Sequence, residues 1–98
     1  MGWLDRFSLA GRKALVTGAS KGIGAEIAAV FAEAGADIVA LGRNEADLAA
    51  TAAAVRGHDR KGLTLVAEMA SATAPVAACE RALVEWGTID ILVNSAGI

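Results

Sequence analysis

The chain has 98 residues, of which 55% are apolar, and its 9 basic and 11 acidic side chains leave a formal net charge of −2. This length suits one small domain or half of a larger one. The near-equal numbers of basic and acidic side chains argue against nucleic acid or an anionic membrane as a partner. No apolar run approaches the ~20 residues that cross a bilayer, and the charged N-terminus lacks the apolar core of a signal peptide, so we expect a cytoplasmic protein.

The first predicted elements are a strand over Lys13–Thr17 and a helix over residues 22–34. The strand is a short apolar run, typical of a buried parallel strand. Gly35 is expected at the C′ position that ends the helix. The helix has large apolar residues at the spacing of one face: Ile23, Ile27, Val30 and Phe31.

The middle of the chain repeats this pattern. A second strand is predicted over residues 37–41, and Asn44 is expected to cap a second helix, with Asp47 three residues on as in a capping box. That helix runs to Arg56 and is expected to pack through Leu48, Ala52 and Val55. A polar loop that contains the single histidine, His58, leads to a third strand over residues 63–67, and we expect His58 to be solvated rather than a metal ligand.

A third helix and a fourth strand complete the predicted series. Thr73 and Pro75 mark the helix start, Gly87 its end, and the strand covers residues 89–93. The expected buried face of the helix consists of Val76, Cys79, Leu83 and Trp86. The only cysteine, Cys79, is therefore expected to be a small core residue rather than a nucleophile.

Strict alternation of strands and helices predicts an α/β fold with a doubly wound parallel sheet of Rossmann type. The usual strand order is 3-2-1-4, which places a switch point between the first and fourth strands. Ligands of such sheets bind beyond the carboxyl ends of the strands at this point. The turns that follow Val16 and Val93 both fall there, so we expect them to meet although about seventy residues separate them.

The first of these turns is rich in glycine. Gly18, Gly22 and Gly24 lie between a strand and a helix, where they allow positive φ angles and close approach of a ligand to the backbone. The N–H groups that open the helix suit a pyrophosphate. Gly24 is followed by Ala25 and not by Lys-Ser/Thr, which disfavours a P-loop. The alternative is that the glycines only allow the strand and helix to pack closely.

The end of the second strand indicates which dinucleotide binds. An acidic residue there would bind the ribose 2′-hydroxyl of NAD, but the sequence has Gly42 followed by Arg43. The Arg43 guanidinium suits a 2′-phosphate, and Lys21 adds a second positive charge, so the sequence favours NADP over NAD. Glu45 could partly neutralise this corner, and a merely solvated Arg43 remains the alternative.

Two motifs resemble the short-chain dehydrogenase/reductase family. Residues 17–24, Thr-Gly-Ala-Ser-Lys-Gly-Ile-Gly, resemble its cofactor-binding segment, and residues 89–98 resemble its fourth-strand segment, which ends Asn-Asn-Ala-Gly. Ser95 replaces the second Asn of that motif. The resemblance extends over nearly the whole chain, including a lead-in similar to that of sugar-acid and acyl-carrier ketoreductases.

The resemblance also implies roles for individual residues. Thr17 and Asn94 would join the first and fourth strands by side-chain hydrogen bonds, and Glu68 would stand where the family has an adenine-binding Asp, with exposure to solvent as the alternative. The residues that would bind the cofactor are Gly18, Ser20, Lys21, Gly22, Ile23, Gly24, Arg43, Asn44, Glu68, Met69, Asn94, Ala96 and Gly97.

The family's proton-transfer group is absent from these residues. Its catalytic Tyr and Lys have no counterpart, since the chain contains no tyrosine, and no catalytic residue is assigned. Residues 1–98 are thus expected to be the dinucleotide-binding half of an NADP(H)-dependent reductase that acts on a small carbonyl or alcohol substrate and is a homo-oligomer at full length. By itself this half should be inactive and aggregate or be molten. The alternative is a complete, non-catalytic nucleotide-binding or dimerising module.

Overall fold

The strands and helices alternate along the whole chain. The computed structural model describes residues 8–19, 22–66 and 74–94. Its elements are β1 Lys13–Thr17, α1 Gly22–Glu33, β2 Asp37–Gly42, α2 Glu45–Arg56, β3 Gly62–Val66, α3 Ala74–Trp86 and β4 Ile91–Asn94. The strands form one parallel sheet in the order β3-β2-β1-β4, which confirms the predicted doubly wound, Rossmann-type fold and its strand order.

The sheet is covered on both faces. Alternate residues of β1 point to opposite sides: Ala14 and Val16 join the core beneath α1 and α2, whereas Leu15 joins the core beneath α3. All three are completely buried. Burial on both faces explains why β1 and β2 are continuous apolar runs in the sequence.

Helix α1 packs through small residues, and only half of its predicted apolar face lies against the core. Its buried residues are Gly24, Ala28 and Ala32, at intervals of four. Ile23 and Val30, which were expected inside, are each 51% exposed. Ile27 and Phe31 are only partly buried at the edge of the same core. Residues without long side chains allow the helix to lie close to the sheet, so the large apolar residues are displaced to its flanks.

Helix α3 shows the same shift. Ala82 is completely buried, and Cys79 and Trp86 pack partly buried beside it, which confirms the core positions predicted for those two residues. Val76 and Leu83 were expected on this face but are exposed. Among the described side chains of α3, Ala82 is the one that is completely buried, and the larger Cys79 and Trp86 lie partly buried beside it.

Helix α2 agrees with its prediction. Leu48, Ala52 and Val55 are buried, and Thr51 is buried with them. The Asn44 side chain caps the helix by accepting the Asp47 backbone N–H at 2.9 Å. Such a cap satisfies one of the N–H groups that a helix start leaves without a partner.

The C-terminus of α1 is closed by glycine as predicted. Gly35 has φ +111°, and its N–H donates to the Ala32 carbonyl, while the Ala36 N–H donates to the Phe31 carbonyl. These two bonds form a Schellman motif with Gly35 at C′. A Cβ at Gly35 would lie 2.9 Å from Cα of Ala10, so the segment before β1 packs directly on this turn.

Two strands start at residues other than those predicted. β3 begins at Gly62, which was assigned to the loop, because it pairs with Ile38 of β2. β4 begins at Ile91 rather than at Ile89. The Lys13 N–H donates to the Asp90 carboxylate at 2.9 Å, and the Asp90 N–H donates to the Lys13 carbonyl at 2.8 Å, so these two residues are joined just ahead of the regular pairing.

Some large apolar side chains remain on the surface. Val84 on α3 is 83% exposed and Leu92 on β4 is 59% exposed. Leu92 pairs with Leu15 and so belongs to the α3 side of the sheet, which is less fully covered at β4. Within the described residues, no helix combines the length and the apolar character that crossing a membrane requires.

Candidate dinucleotide site

The turn between β1 and α1 has the backbone shape expected of a ligand-binding glycine turn. Gly18 and Gly22 have φ angles of +64° and +67°, a region that side-chain-bearing residues rarely adopt. Apart from its chain neighbours and the backbone of α1 itself, no described residue has an atom within 4 Å of the position that a Cβ on Gly22 would occupy. Among the residues that the structure describes, none therefore covers the backbone at the start of α1.

The start of α1 suits an anion. The first N–H groups of any helix lack partners within the helix and carry the positive end of its dipole. The first turn of α1 contains no acidic residue that would compete for them. Gly24 is buried against the sheet, whereas Ile23 is exposed at the helix start. The helix-start N–H groups and the helix dipole favour a phosphate group at this position.

The glycine turn is tied to two neighbouring elements through Ala19. The Ala19 N–H donates to the Leu41 carbonyl of β2 at 3.0 Å. The Ala19 carbonyl accepts a hydrogen bond of 2.7 Å from the Thr51 hydroxyl of α2. Thr51 was not among the predicted site residues. The available signal was a hydroxyl in an alanine-rich helix, on the same face as Leu48 and Val55.

The switch point of the sheet lies beside this turn. β1 has β2 on one side and β4 on the other, with Thr17 directly opposite Asn94. The Thr17 hydroxyl lies 2.9 Å from Oδ1 of Asn94 and 3.3 Å from the Val93 carbonyl oxygen. The predicted side-chain bond between the first and fourth strands is thus confirmed, and it fixes the strand ends at the crevice.

The corner after β2 carries a cation. Gly42 is the last residue of β2, and Arg43 follows it with an exposed side chain. Asn44 is also exposed, but its side-chain oxygen caps α2. Glu45 lies in the first turn of α2, where its charge is favourable for the helix dipole. The last residue of β2 supplies no carboxylate to this corner.

Several predicted site residues lie outside the described part of the chain. They are Ser20, Lys21, Glu68, Met69, Ala96 and Gly97. Gly18, Gly22, Ile23, Gly24, Arg43, Asn44 and Asn94 are described, and all lie at the carboxyl ends of β1, β2 and β4 or in the helix starts that follow them. Over residues 8–19, 22–66 and 74–94 no cluster of His, Cys, Asp or Glu could hold a metal ion, and His58 is exposed.

A doubly wound parallel sheet with a glycine turn at its switch point defines a Rossmann-type α/β protein. The chain belongs to the short-chain dehydrogenase family, since the family model described as short chain dehydrogenase matches residues 12–98. It is similar to 2-dehydro-3-deoxy-D-gluconate 5-dehydrogenase from Dickeya dadantii (strain 3937), with 42% identity over 95 residues, which are 97% of this chain and 37% of the relative. The chain thus spans little more than a third of the length of the curated relatives it matches.

Solved structures of the family also resemble the chain in fold. L-Sorbose reductase from Gluconobacter frateurii, in complex with NADPH and L-sorbose, has a TM-score of 0.85 and 34% identity, over 93% of this chain and 35% of that one. Carveol dehydrogenase from Mycobacterium avium, in complex with NAD, has a TM-score of 0.82 and 32% identity, over 92% and 37%. Nicotinamide dinucleotides of both kinds therefore occur among the similar structures.

Proposed function

We propose that residues 1–98 are the dinucleotide-binding half-domain of an oxidoreductase that moves a hydride between NADP(H) and a carbonyl or alcohol carbon. The observation that carries this proposal is the open glycine turn at the start of α1, beside the Thr17–Asn94 bond at the switch point. An anion site in this place is what a pyrophosphate requires. The nicotinamide ring would supply the hydride chemistry.

The pyrophosphate would lie against the backbone of Gly18, Gly22, Ile23 and Gly24. Two of these residues have positive φ angles, and the start of α1 offers N–H groups without a competing carboxylate. Ser20 and Lys21 would instead lie with Arg43 and Asn44 around the 2′-phosphate. The adenosine portion would extend toward the residues that follow β3 and β4, which include Glu68, Met69, Ala96 and Gly97.

The preference for NADP rests on Arg43. A carboxylate at the end of β2 would bind the ribose hydroxyls of NAD, and Gly42 stands at that end instead. The exposed Arg43 guanidinium is adjacent and can form a paired hydrogen bond with a phosphate. L-Sorbose reductase, which is similar in fold, was solved with NADPH, whereas the carveol dehydrogenase complex with NAD keeps NAD as the competing candidate.

The relatives support a proposal for the substrate class. One of them is a 2-dehydro-3-deoxy-D-gluconate 5-dehydrogenase, and a similar structure holds L-sorbose, so we place a polyhydroxylated sugar or sugar acid first and a ketoacyl substrate second. The intact protein would be a homo-oligomer. The chain has no tyrosine to act as the family's proton donor, so residues 1–98 alone are expected to be inactive. That lack of tyrosine is also the observation that favours a non-catalytic nucleotide-binding module as the second candidate.

Titration of the intact gene product with NADPH and with NADH tests the cofactor. Arg43→Asp removes a charged donor and adds a repelling charge, so the Kd for NADPH should rise at least tenfold, from the roughly 1.5–3 kcal/mol of a charge-assisted hydrogen bond. The Kd for NADH should change less than threefold. Arg81→Asp, an exposed site on α3 with the same change in charge, is the matched control.

The outcomes separate the candidates. Equal loss of NADPH and NADH binding in Arg43→Asp would mean that Arg43 does not contact the 2′-phosphate. Failure of the unmodified protein to bind either dinucleotide would refute the proposed function. Dinucleotide binding without hydride transfer to sugar, sugar-acid or ketoacyl substrates would support the non-catalytic module.

A further inference from the structure

Thr51 is a buried polar residue in an otherwise apolar helix face. It lies in the middle of α2 and is only 5% exposed, and Thr17 is the other buried polar residue in the described part of the chain. Its neighbours on the buried face are Leu48, Ala52 and Val55. A buried hydroxyl must be hydrogen-bonded to avoid a desolvation cost, so its partner is informative.

The hydroxyl of Thr51 donates its hydrogen bond to another segment of the chain rather than to its own helix. A threonine inside a helix usually donates to the carbonyl four residues earlier. That carbonyl, of Asp47, lies 3.3 Å away, whereas the Ala19 carbonyl lies 2.7 Å away. A hydroxyl has one proton to donate, and the shorter distance assigns it to Ala19.

Ala19 is thereby held on both sides. Its carbonyl accepts from Thr51, its N–H donates to the Leu41 carbonyl, and its side chain is completely buried. The peptide groups of Ala19 follow Gly18, whose φ angle is positive, in the turn that leads to α1. Fixing Ala19 therefore restricts a turn whose glycines would otherwise permit many conformations.

We propose that Thr51 is a positioning residue of the dinucleotide site. It holds the glycine turn in the conformation that presents the first N–H groups of α1 to the pyrophosphate, and it touches no part of the ligand itself. This inference rests on the proposed function. Because the pyrophosphate is common to both dinucleotides, loss of the Thr51 hydroxyl should weaken NADPH and NADH binding equally, unlike a change at Arg43.

The test compares variants of the intact gene product by calorimetric titration with NADPH and with NADH. Thr51→Val removes the hydroxyl at almost constant shape and should raise both Kd values about three- to tenfold, the effect of losing one buried hydrogen bond. Thr51→Ser keeps the hydroxyl and should stay within about twofold. Thr51→Ala removes the same hydroxyl and replaces Thr51→Val if that variant does not fold.

A control separates positioning from general destabilisation. Val55→Ala lies one turn further along the same buried face and also lowers stability, but Val55 has no side-chain hydrogen bond to the turn. Its Kd values should stay at those of the unmodified protein when all variants are measured well below their Tm. Equal weakening by Val55→Ala and Thr51→Val would overturn the inference.

The remaining outcomes distinguish the inference from the proposed function. If the unmodified protein binds a dinucleotide and Thr51→Val binds it equally well, the positioning role is wrong while the proposed function stands. A loss confined to NADPH would also overturn it, since the effect would then arise at the 2′-phosphate corner. If the unmodified protein binds neither dinucleotide, the proposed function fails, and this inference fails with it.

Discussion

Gly22 offers the most direct test of the glycine turn, because the chain contains a matched control for it. Gly22 and Gly87 have φ angles of +67° and +79°. For both, no described residue other than their chain neighbours and their own helix backbone has an atom within 4 Å of a Cβ placed on the backbone. Gly22 opens α1 at the candidate site, whereas Gly87 follows α3. Gly22→Ala and Gly87→Ala therefore impose the same kind of backbone cost at different places.

The expected magnitudes follow from this geometry. An alanine in the left-handed region costs about 1–2 kcal/mol, and neither substitution adds a clash with a described residue. Both variants should therefore lose a similar free energy of unfolding. At Gly22 the added methyl group also enters the open space where the pyrophosphate is proposed to lie. Loss of one charge-assisted hydrogen bond there is worth roughly 1.5–3 kcal/mol, so the Kd should rise about ten- to a hundredfold.

The assay pairs urea unfolding with dinucleotide titration of the intact gene product. We expect the two variants to differ by less than about 0.5 kcal/mol in stability, within the usual scatter of surface substitutions, while only Gly22→Ala loses affinity. Unchanged binding by Gly22→Ala would show that the ligand does not approach this backbone. Equal loss of binding by Gly87→Ala would assign the effect to stability rather than to the site.

Two further predictions concern stability and association. Gly35→Ala should cost about 2–4 kcal/mol in urea unfolding, because its Cβ would lie 2.9 Å from the Ala10 backbone in addition to the strain of a positive φ, whereas Gly11→Ala, with φ +79° and open space, should cost about 1–2 kcal/mol. Similar costs for both would mean that the contact with Ala10 relaxes freely. The 98-residue chain by itself should self-associate in gel filtration, and replacing the exposed Val84 and Leu92 by serine should increase the monomer fraction. A monodisperse, cooperatively melting unmodified chain would contradict this expectation.

The strand order could be predicted from the sequence because strands buried on both faces are continuous apolar runs. β1 and β2 are such runs, and alternation with helices leaves few ways to connect them. The end of α1 was equally predictable, since Gly35 is a residue type that a left-handed C′ position requires. These features depend on the type of residue at each position, which can be read from the sequence directly.

The buried faces of two helices were not predictable from apolar spacing alone. Ala28 and Ala32 lie on the buried face of α1, whereas the larger Val30 is exposed. The short distance between helix and sheet leaves room only for small side chains on that face. Spacing identifies which residues share a face but not how close the sheet will be. On α3, Ala82 is buried while the larger Leu83 and Val84 that follow it are exposed, so apolar spacing fails there for the same reason.

The candidate site was predictable only where a motif marks it. The glycine turn and the Thr17–Asn94 pair could be proposed from the motifs, and the structure confirms the hydrogen bond between that pair. Thr51 carries no motif, and its contact with Ala19 joins residues 32 positions apart in sequence. Such a bond depends on how α2 crosses the sheet, which the sequence pattern alone does not specify.

The two sides of the candidate site differ in how firmly they are packed. The glycine turn is joined through Ala19 to β2 and α2, whose inward residues are completely buried. β4 pairs only with β1 in the described sheet, and Leu92 on it is exposed. The Thr17–Asn94 bond therefore connects a well-packed side of the crevice to a weakly packed one. A ligand that contacts both sides would add its binding free energy to the pairing of β1 with β4, so occupancy of the site and completion of this edge of the sheet should be thermodynamically linked.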